Sequence, residues 1–400
     1  MKTKSISIHN IRIMFWIRFF GTINFIAPVL TLFYFARGLE ASHILLLQIF
    51  WSGAVLIGEV PGGVVADRFG AKTSFLIGVL MKIASIVLLI YSNHPWMFFL
   101  YSALNGLSVT FFSGADEALI YESLKEDDDQ HRMDRAMGKI QSASFVSMIL
   151  AVLFGSYFAQ DLQENQFVFL LIAGIGFHLI EFFLIFFVKN PSSIGSYREN
   201  PFKQVVSGMR AIRRAPTLLL MFINFTLVFI AADSVYEAFN QPLFTDAGLP
   251  VVMIGVLYAL AAVCGFITSQ SIGWFTTKFP RMLLMSVTGV LAAFGLFLSA
   301  LFGDSLWLVL GAFFVLRIGQ ALRRPIYSQL KNDLIPSDIR ATTLSLLSVL
   351  DSAFDLVVFG ILSFVAFNGL TGILLASSIF ALIGTLTPIQ IKARRKINRT

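Results

Sequence analysis

Asp351 and Asp355 stand four residues apart in the run "SLLSVLDSAFDLVVFGILSF", and Asp233 and Glu237 repeat that spacing in "AADSVYEAFNQP". Residues four apart share one face of a helix, so each pair would present two carboxylates in one direction. Arg317 sits among apolar neighbours in "GAFFVLRIGQA", and Asp116 with Glu117 interrupts "FFSGADEALIYESL". A carboxylate beside a guanidinium can exchange a proton as the pair opens. An Arg317 contact to Asp355 or Asp351 is the expected pair, and a bridge that never opens is the alternative use of the same residues.

These groups are conspicuous because of what must position them. The 400 residues are 56% hydrophobic and only 13% charged, with a mean hydropathy of +0.78, whereas soluble domains carry about 25% charged residues. The chain reads as an integral membrane protein. Its apolar runs are long and continuous, which favours helices over a barrel of ten-residue alternations. Twelve spans are expected, over residues 12–36, 44–66, 73–92, 95–121, 137–160, 166–188, 216–244, 251–277, 281–302, 305–327, 341–367 and 369–390. An ionisable group at mid-membrane depth costs about 2.5–3.5 kcal/mol on insertion scales, so it usually faces a partner or an aqueous cavity.

The connections orient the spans. Of the 30 Lys and Arg, only Arg37 falls in an odd-numbered connection, and only Arg18, Lys82 and Arg317 fall inside spans. The rest lie at the termini, in even-numbered connections or at the helix ends beside them. This positive-inside pattern places both termini in the cytoplasm of a cell inner membrane. It also accounts for the formal charge of +7 through contact with anionic headgroups, so no nucleic-acid partner is needed. The first apolar run is too long for a signal peptide and is expected to stay as a helix. The single Cys264 excludes internal disulfides and thiolate metal clusters, and a buried inert thiol is expected.

One long polar connection, "KNPSSIGSYRENPFKQVVSGMRAIRRAP", divides the chain into residues 1–189, a cytoplasmic loop 190–215 and residues 216–400. Phe202, Val205, Val206, Met209 and Ile212 recur there at helical spacing, which suggests an interfacial helix or, failing that, a solvated linker. "YESLK" at 121–125 echoes "YSQLK" at 327–331, as a duplicated six-helix unit would, and two halves that both start in the cytoplasm form a parallel repeat.

Between spans 2 and 3 the chain reads "GEVPGGVVADRFGAKTS". Gly62 and Gly63 allow a helix end to approach its neighbour, Gly70 permits a turn with positive φ, and Asp67 is an anion suited to a helix N-terminus. The start of span 11, at Pro336, Ser337 and Asp338, offers such a terminus. The pattern Gly63, Asp67, Arg68, Gly70, Lys72 resembles the loop signature of the major facilitator superfamily, in its drug-efflux-like branch. The resemblance implies an all-α membrane protein of twelve helices in two pseudo-symmetric six-helix bundles. It further implies secondary transport by alternating access, with Gly63, Asp67, Arg68, Gly70 and Lys72 as a conformational latch. The mirrored loop "GWFTTKFPR" has Thr277 where Asp67 would fall, so the latch is expected on one side only. The chain departs from drug exporters in having no Arg or Lys between Asn93 and Leu124 and no proline between Gly138 and Gln160.

In that fold spans 1, 4, 7 and 10 line the central cavity. The resemblance therefore makes Asp233, Glu237, Asp116 and Glu117 candidates for proton or cation binding, with Arg317, Asp351 and Asp355 beside them. Arg18 is expected to snorkel, Lys82 has no evident partner, and His178 with Glu181 is expected to form a local pair. "GIGFHL" and "GAKTS" lack the spacing of nucleotide signatures, so neither an enzyme nor a cofactor is expected. Proton-coupled efflux of a small lipophilic or cationic compound, by a monomer, is the leading reading. Proton-coupled uptake of a nutrient and a non-transporting sensor or assembly partner are the alternatives.

Overall fold

The computed structural model describes residues 5–191, 216–335 and 340–387. The helix expected over Phe202–Arg214 and the helix start expected at Pro336–Asp338 lie outside them. Among the described residues all regular structure is helical: α1 Ile6–Gly21, α2 Leu30–Ala36, α3 Ala41–Ile90, α4 Pro95–Thr110, α5 Ala115–Glu126, α6 Met133–Phe158 and α7 Glu164–Ile185 precede the central connection. After it come α8 Pro216–Phe229, α9 Tyr236–Asp246, α10 Val251–Gln270, α11 Ile272–Lys278, α12 Arg281–Leu301, α13 Leu306–Leu334, α14 Arg340–Val365 and α15 Gly369–Leu386.

Nine helical stretches among these residues are long and apolar enough to cross a membrane. The 50 residues of α3 would run roughly 75 Å if straight, against about 30 Å of hydrocarbon. The helix is interrupted at Gly70, with φ 82° and ψ 160°, so it makes two passages. The positive φ is the reason a glycine stands there. The stretch Leu347–Leu386 is likewise broken, by a turn at Ala366–Asn368 and the positive φ of Gly369. The expected first span is split between α1 and α2, with a short helical turn at Ala27–Val29 carrying Pro28.

Polar side chains tie the connections at each end of the bundle. Arg37 donates to the carbonyls of Ser92 (2.6 Å) and Ile90 (3.2 Å), to Asn93 (3.1 Å) and to Glu164, so the lone cation of the odd connections is a clamp joining three of them. At the opposite end the Ser7 amide donates to Asp127 (2.8 Å) and Asn10 donates to the Lys189 carbonyl (2.8 Å).

The apolar core follows the same division. One buried cluster draws on both halves of the chain, joining Phe33, Phe98 and Phe167 to Phe239, Phe313 and Phe359. Two further clusters are confined to one half each: Met14, Phe75, Leu119 and Ile140 in the first, and Met221, Phe222, Met285 and Leu330 in the second. The halves meet where α3 packs on α14, α6 on α10 and α2 on α9. Lipid tails are as apolar as leucine, so close packing and hydrogen bonds hold such contacts rather than the hydrophobic effect. Gly255 shows the closeness: a Cβ there would collide with Ser156 and with the Val152 carbonyl. Ser156 donates to the Val252 carbonyl (3.2 Å), Thr31 to the Ala238 carbonyl (2.7 Å), and Gln241 both accepts from the Thr31 amide (2.8 Å) and donates to the Ala27 carbonyl (2.8 Å).

Candidate transport site

Asp233 lies in Ile230–Val235, a π-helical turn between α8 and α9. Such turns insert a residue into the helix and re-aim the side chains that follow, which is why they recur at functional sites. Here the turn sets Asp233 against α13. One carboxylate oxygen accepts from Arg317 at 3.2 Å and the other from Arg324 at 2.9 Å, while Glu237 accepts from Arg317 at 3.3 Å. Arg317 and Arg324 are seven residues apart, two helical turns, and so share a face. Asp233 is the sheltered member, its side chain 12% exposed, whereas Glu237 and Arg324 are more than half exposed. Each guanidinium also lies over a ring, Arg317 at 5.5 Å from Phe313 and Arg324 at 4.9 Å from Phe229, contacts favoured by the ring quadrupole.

The expected pairing of Arg317 with Asp351 or Asp355 is therefore not the one formed. The physical reason is helix adjacency: α13 packs along α8, the π turn and α9, whereas α14 packs on α3 and α15. Asp351 accepts from Thr226 at 2.8 Å, within the second half. Asp355 accepts from Ser52 at 3.0 Å and so bridges the halves.

Asp116 and Glu117 open α5, where negative charge suits the helix N-terminus. Asp116 accepts from the Glu117 amide (2.8 Å) and from Arg18 (3.4 Å), so Arg18 has an intramembrane partner rather than only a snorkelling path. Glu117 is exposed on another face. The structure thus brings Asp233, Glu237 and Arg317 together and leaves Asp116, Asp351 and Asp355 in three other settings.

In the loop between the two passages of α3, Gly62 abuts the Thr110 carbonyl with no room for a Cβ, and Gly70 makes the expected turn. Lys72 donates to the Phe186 carbonyl at 2.6 Å, which ties the loop to α7. Asp67 and Arg68 are exposed, and Gly63 is half-buried. Among the described residues Asp67 and Arg68 form no ion pair. Cys264 is half-buried, not sealed in the core.

Several polar residues escaped the sequence reading. Arg324 reads in the sequence as a helix-end cation, although its seven-residue spacing from Arg317 is a usable signal. Arg323 is buried, donating to the Asn224 carbonyl (3.1 Å) and side chain (2.9 Å) and to the Met285 carbonyl. Tyr258 donates to Asn240 at 2.6 Å and receives a longer contact from Gln241, a network beside the contact between the halves. Lys82 does have a partner, the Gly21 carbonyl at 2.6 Å. His178 and Glu181 pair as expected, at 2.8 Å.

Comparison with known proteins fits this architecture. The multidrug resistance protein MdtH of Yersinia enterocolitica serotype O:8 / biotype 1B is 30% identical over 142 residues, which is 34% of this chain and 34% of that protein. The protein of the same name from Yersinia pestis strain Pestoides F matches to the same extent. The alignable stretch thus spans about a third of the length of these curated relatives. Among solved structures, the nucleoside transporter NupG superposes with a TM-score of 0.73 at 13% identity, over 96% of this chain and 97% of that one. A bacterial homologue of the human lysosomal transporter Spinster, inward-facing and unoccupied, gives 0.72 at 15% identity over 96% of each chain. The D-xylose-proton symporter gives 0.69 at 14% identity over 96% and 99%. These structural likenesses establish the fold. Residues 13–357 match the family model described as Major Facilitator Superfamily, and with most of its length so matched the chain belongs to that superfamily of transporters.

Proposed function

We propose that the chain is a proton-coupled exporter of a small lipophilic or cationic compound, working by alternating access between its two six-helix halves. The observation that carries the reading is the carboxylate of Asp233 held between Arg317 and Arg324, with Glu237 alongside. A proton placed on Asp233 removes the anion that both guanidiniums share, and the contact between the π turn and α13 loosens. A cationic substrate acts at the same place in the opposite sense, by competing with the guanidiniums for Glu237 and Asp233. Proton and substrate then occupy the site by turns, as exchange requires.

The shared core and the two separate cores support a state closed at the Arg37 end and parted at the end bearing the Gly63–Lys72 loop. With twelve passages and both termini in the cytoplasm of an inner membrane, this is the inward-facing state. In the outward-facing state Asp67 and Arg68 gain their partners across the halves, and Gly63, Gly70 and Lys72 shape and anchor the loop that carries them. The bodies that rock are residues 1–189 and 216–400, joined by 190–215, and a monomer suffices. The name of MdtH favours export. The hydrogen-bonding side chains of Asn240, Gln241 and Tyr258 favour the second reading, proton-coupled uptake of a polar nutrient.

Inverted membrane vesicles with a preset, acid-inside proton gradient test the proposal. Addition of an exported cationic compound is expected to dissipate the gradient in wild type and not in Asp233→Asn. If no member of a panel of lipophilic cations dissipates it, export by proton exchange is wrong. An unchanged response in Asp233→Asn removes Asp233 from the mechanism and returns the sensor reading.

A further inference from the structure

Apart from the Asp233 cluster, a second set of ionisable side chains lies wholly within the first half. Arg18 of α1, Lys82 of α3, Asp116 of α5, and His178 and Glu181 of α7 line one cavity of about 350 Å³. That volume falls within the range of about 300–1,000 Å³ typical of small-ligand sites. Phe25, Ile86, Leu89, Leu170 and Leu171 form an apolar part of the wall, and the neutral polar side chains of Thr22, Asn24, Tyr101, Asn105 and Ser108 complete it.

The polar wall is under-used. An ammonium has three donors and a guanidinium five, yet among the described residues Lys82 donates once, to the Gly21 carbonyl, and Arg18 once, in a long 3.4 Å contact to Asp116. Glu181 is only 3% exposed and accepts from His178 through one oxygen. Its other oxygen lies where a Cβ on Gly21 would stand, so the glycine in α1 admits the carboxylate. Taking His178 as neutral, the two cations balance the two carboxylates. A ligand of net charge would leave an unbalanced ion in a low-dielectric site, a costly arrangement. A ligand with both signs and no net charge leaves none.

We propose that this cavity is a binding site for a small zwitterion, an α-amino acid with an apolar side chain. Its carboxylate takes the spare donors of Lys82 and Arg18, its ammonium faces Glu181 and Asp116, and its side chain lies on the Phe25, Ile86 and Leu170 wall. The inference goes beyond the transport reading and does not depend on it, because the cavity is formed by one half alone.

Purified protein in lipid nanodiscs, titrated with L-leucine, L-phenylalanine and L-tryptophan while its thermal midpoint is followed, tests the site. The matched N-acetyl amino acids supply a net anion and the amino-acid amides a net cation. At least one amino acid is expected to raise the midpoint with saturation, and neither derivative of it to do so. Gly174 lines the cavity and a Cβ on it meets open space, so Gly174→Leu fills the site without altering a charge. It is expected to keep the ligand-free midpoint and to abolish the response. Lys82→Met is expected to weaken binding by about tenfold or more, as loss of a charge-assisted hydrogen bond does. No response to any of the three amino acids, an equal response to a charged derivative, or an undiminished response in Gly174→Leu overturns the proposal. Because binding is read without transport, that result leaves the Asp233 mechanism standing, and a failure of proton exchange leaves this site standing.

Discussion

At the Arg37 end the two halves interlock: Thr31 donates across them to Gln241 and to the Ala238 carbonyl, Gln241 donates back to the Ala27 carbonyl, α6 and α10 touch at Gly255, and one aromatic core serves both. At the end bearing the Gly63–Lys72 loop each half has its own core, and Asp67 and Arg68 face outward. Both ends belong to the same helices, although the Lys and Arg residues are concentrated at the loop end. What differs is which contacts are satisfied now and which are held in reserve. In the proposed alternating-access cycle the end whose polar groups are mutually paired is the closed gate, and the end with exposed, oppositely charged groups on an anchored loop is the one that closes next.

The largest expected effect comes from the joint between the two ends. Asp233→Asn leaves Arg317 and Arg324 facing an amide, and removing one partner of a buried pair costs about 3–5 kcal/mol when the pair is fully sheltered. Arg324 is 58% exposed, so the stability loss is smaller and solvent-screened. Transport is expected to fall by about a hundredfold, equivalent to about 2.7 kcal/mol of barrier, while the thermal midpoint drops by only a few degrees. The measurement is transport in vesicles beside a melting curve. Asp355→Asn keeps the bond to Ser52, since an amide oxygen still accepts, and its effect on both readouts is expected to be minor.

Gly255→Val attacks the closed end directly. The added carbons meet Ser156 and the Val152 carbonyl, and overpacking of this kind costs about 1–3 kcal/mol. That cost falls on the state in which this end is shut, so transport is expected to slow by about tenfold and the end to open in the absence of substrate.

The positions of these groups were legible in the sequence to different depths. Gly70 announced its turn because only a glycine adopts that φ without strain, and the membrane acids announced themselves because hydrocarbon tolerates few charges. The pair within one helix, His178 with Glu181, was legible, but pairings between helices were not. Whether Arg317 meets Asp233 or Asp355 depends on which helices are neighbours in the bundle, and spacing along one helix carries no information about another. Arg324 was misread for a related reason: a cation near a helix end looks like a headgroup anchor until a π turn on another helix brings an acid to it. Lys82 was opaque because its partner is a backbone carbonyl, which every residue possesses.

Thr31→Val removes the hydroxyl that donates to Ala238, a bond worth about 1 kcal/mol net. It is expected to shift the balance of the two states by about fivefold toward the one open at the Arg37 end, seen as faster modification of a cysteine placed at Ala238, which is buried in this state. Asp67→Asn acts on the other end and is expected to spare both insertion and the thermal midpoint, because the carboxylate is exposed in this state, while slowing turnover by about fivefold. Wild-type turnover in that variant would remove Asp67 from the latch.

The smallest effect is local. Burial pushes the Asp127 carboxyl up, but the hydrogen bonds from Ser5 and Ser7 outweigh it and hold the group below its ordinary value of 3.8. A carboxyl whose folded value is depressed adds stability above the unfolded value and loses it as pH falls through the folded one. Docking of the chain start onto α5 is therefore expected to be constant at neutral pH and to weaken below about pH 4. Hydrogen exchange at the Ser7 amide checks this, and Asp127→Asn should show the weakened protection at pH 7.

The central claim, that the two ends open by turns, is tested most directly by distances between spin labels in a Cys264→Ser background. One pair at Lys125 and Lys278 spans the halves at the loop end, and another at His94 and Asp304 spans them at the Arg37 end, all four residues being exposed. Measured in wild type and in Gly255→Val, the account predicts opposite changes: the His94–Asp304 distance lengthens in the variant while Lys125–Lys278 shortens. Two distances that move together, or a loop-end distance that stays fixed while the Arg37 end opens, would contradict it.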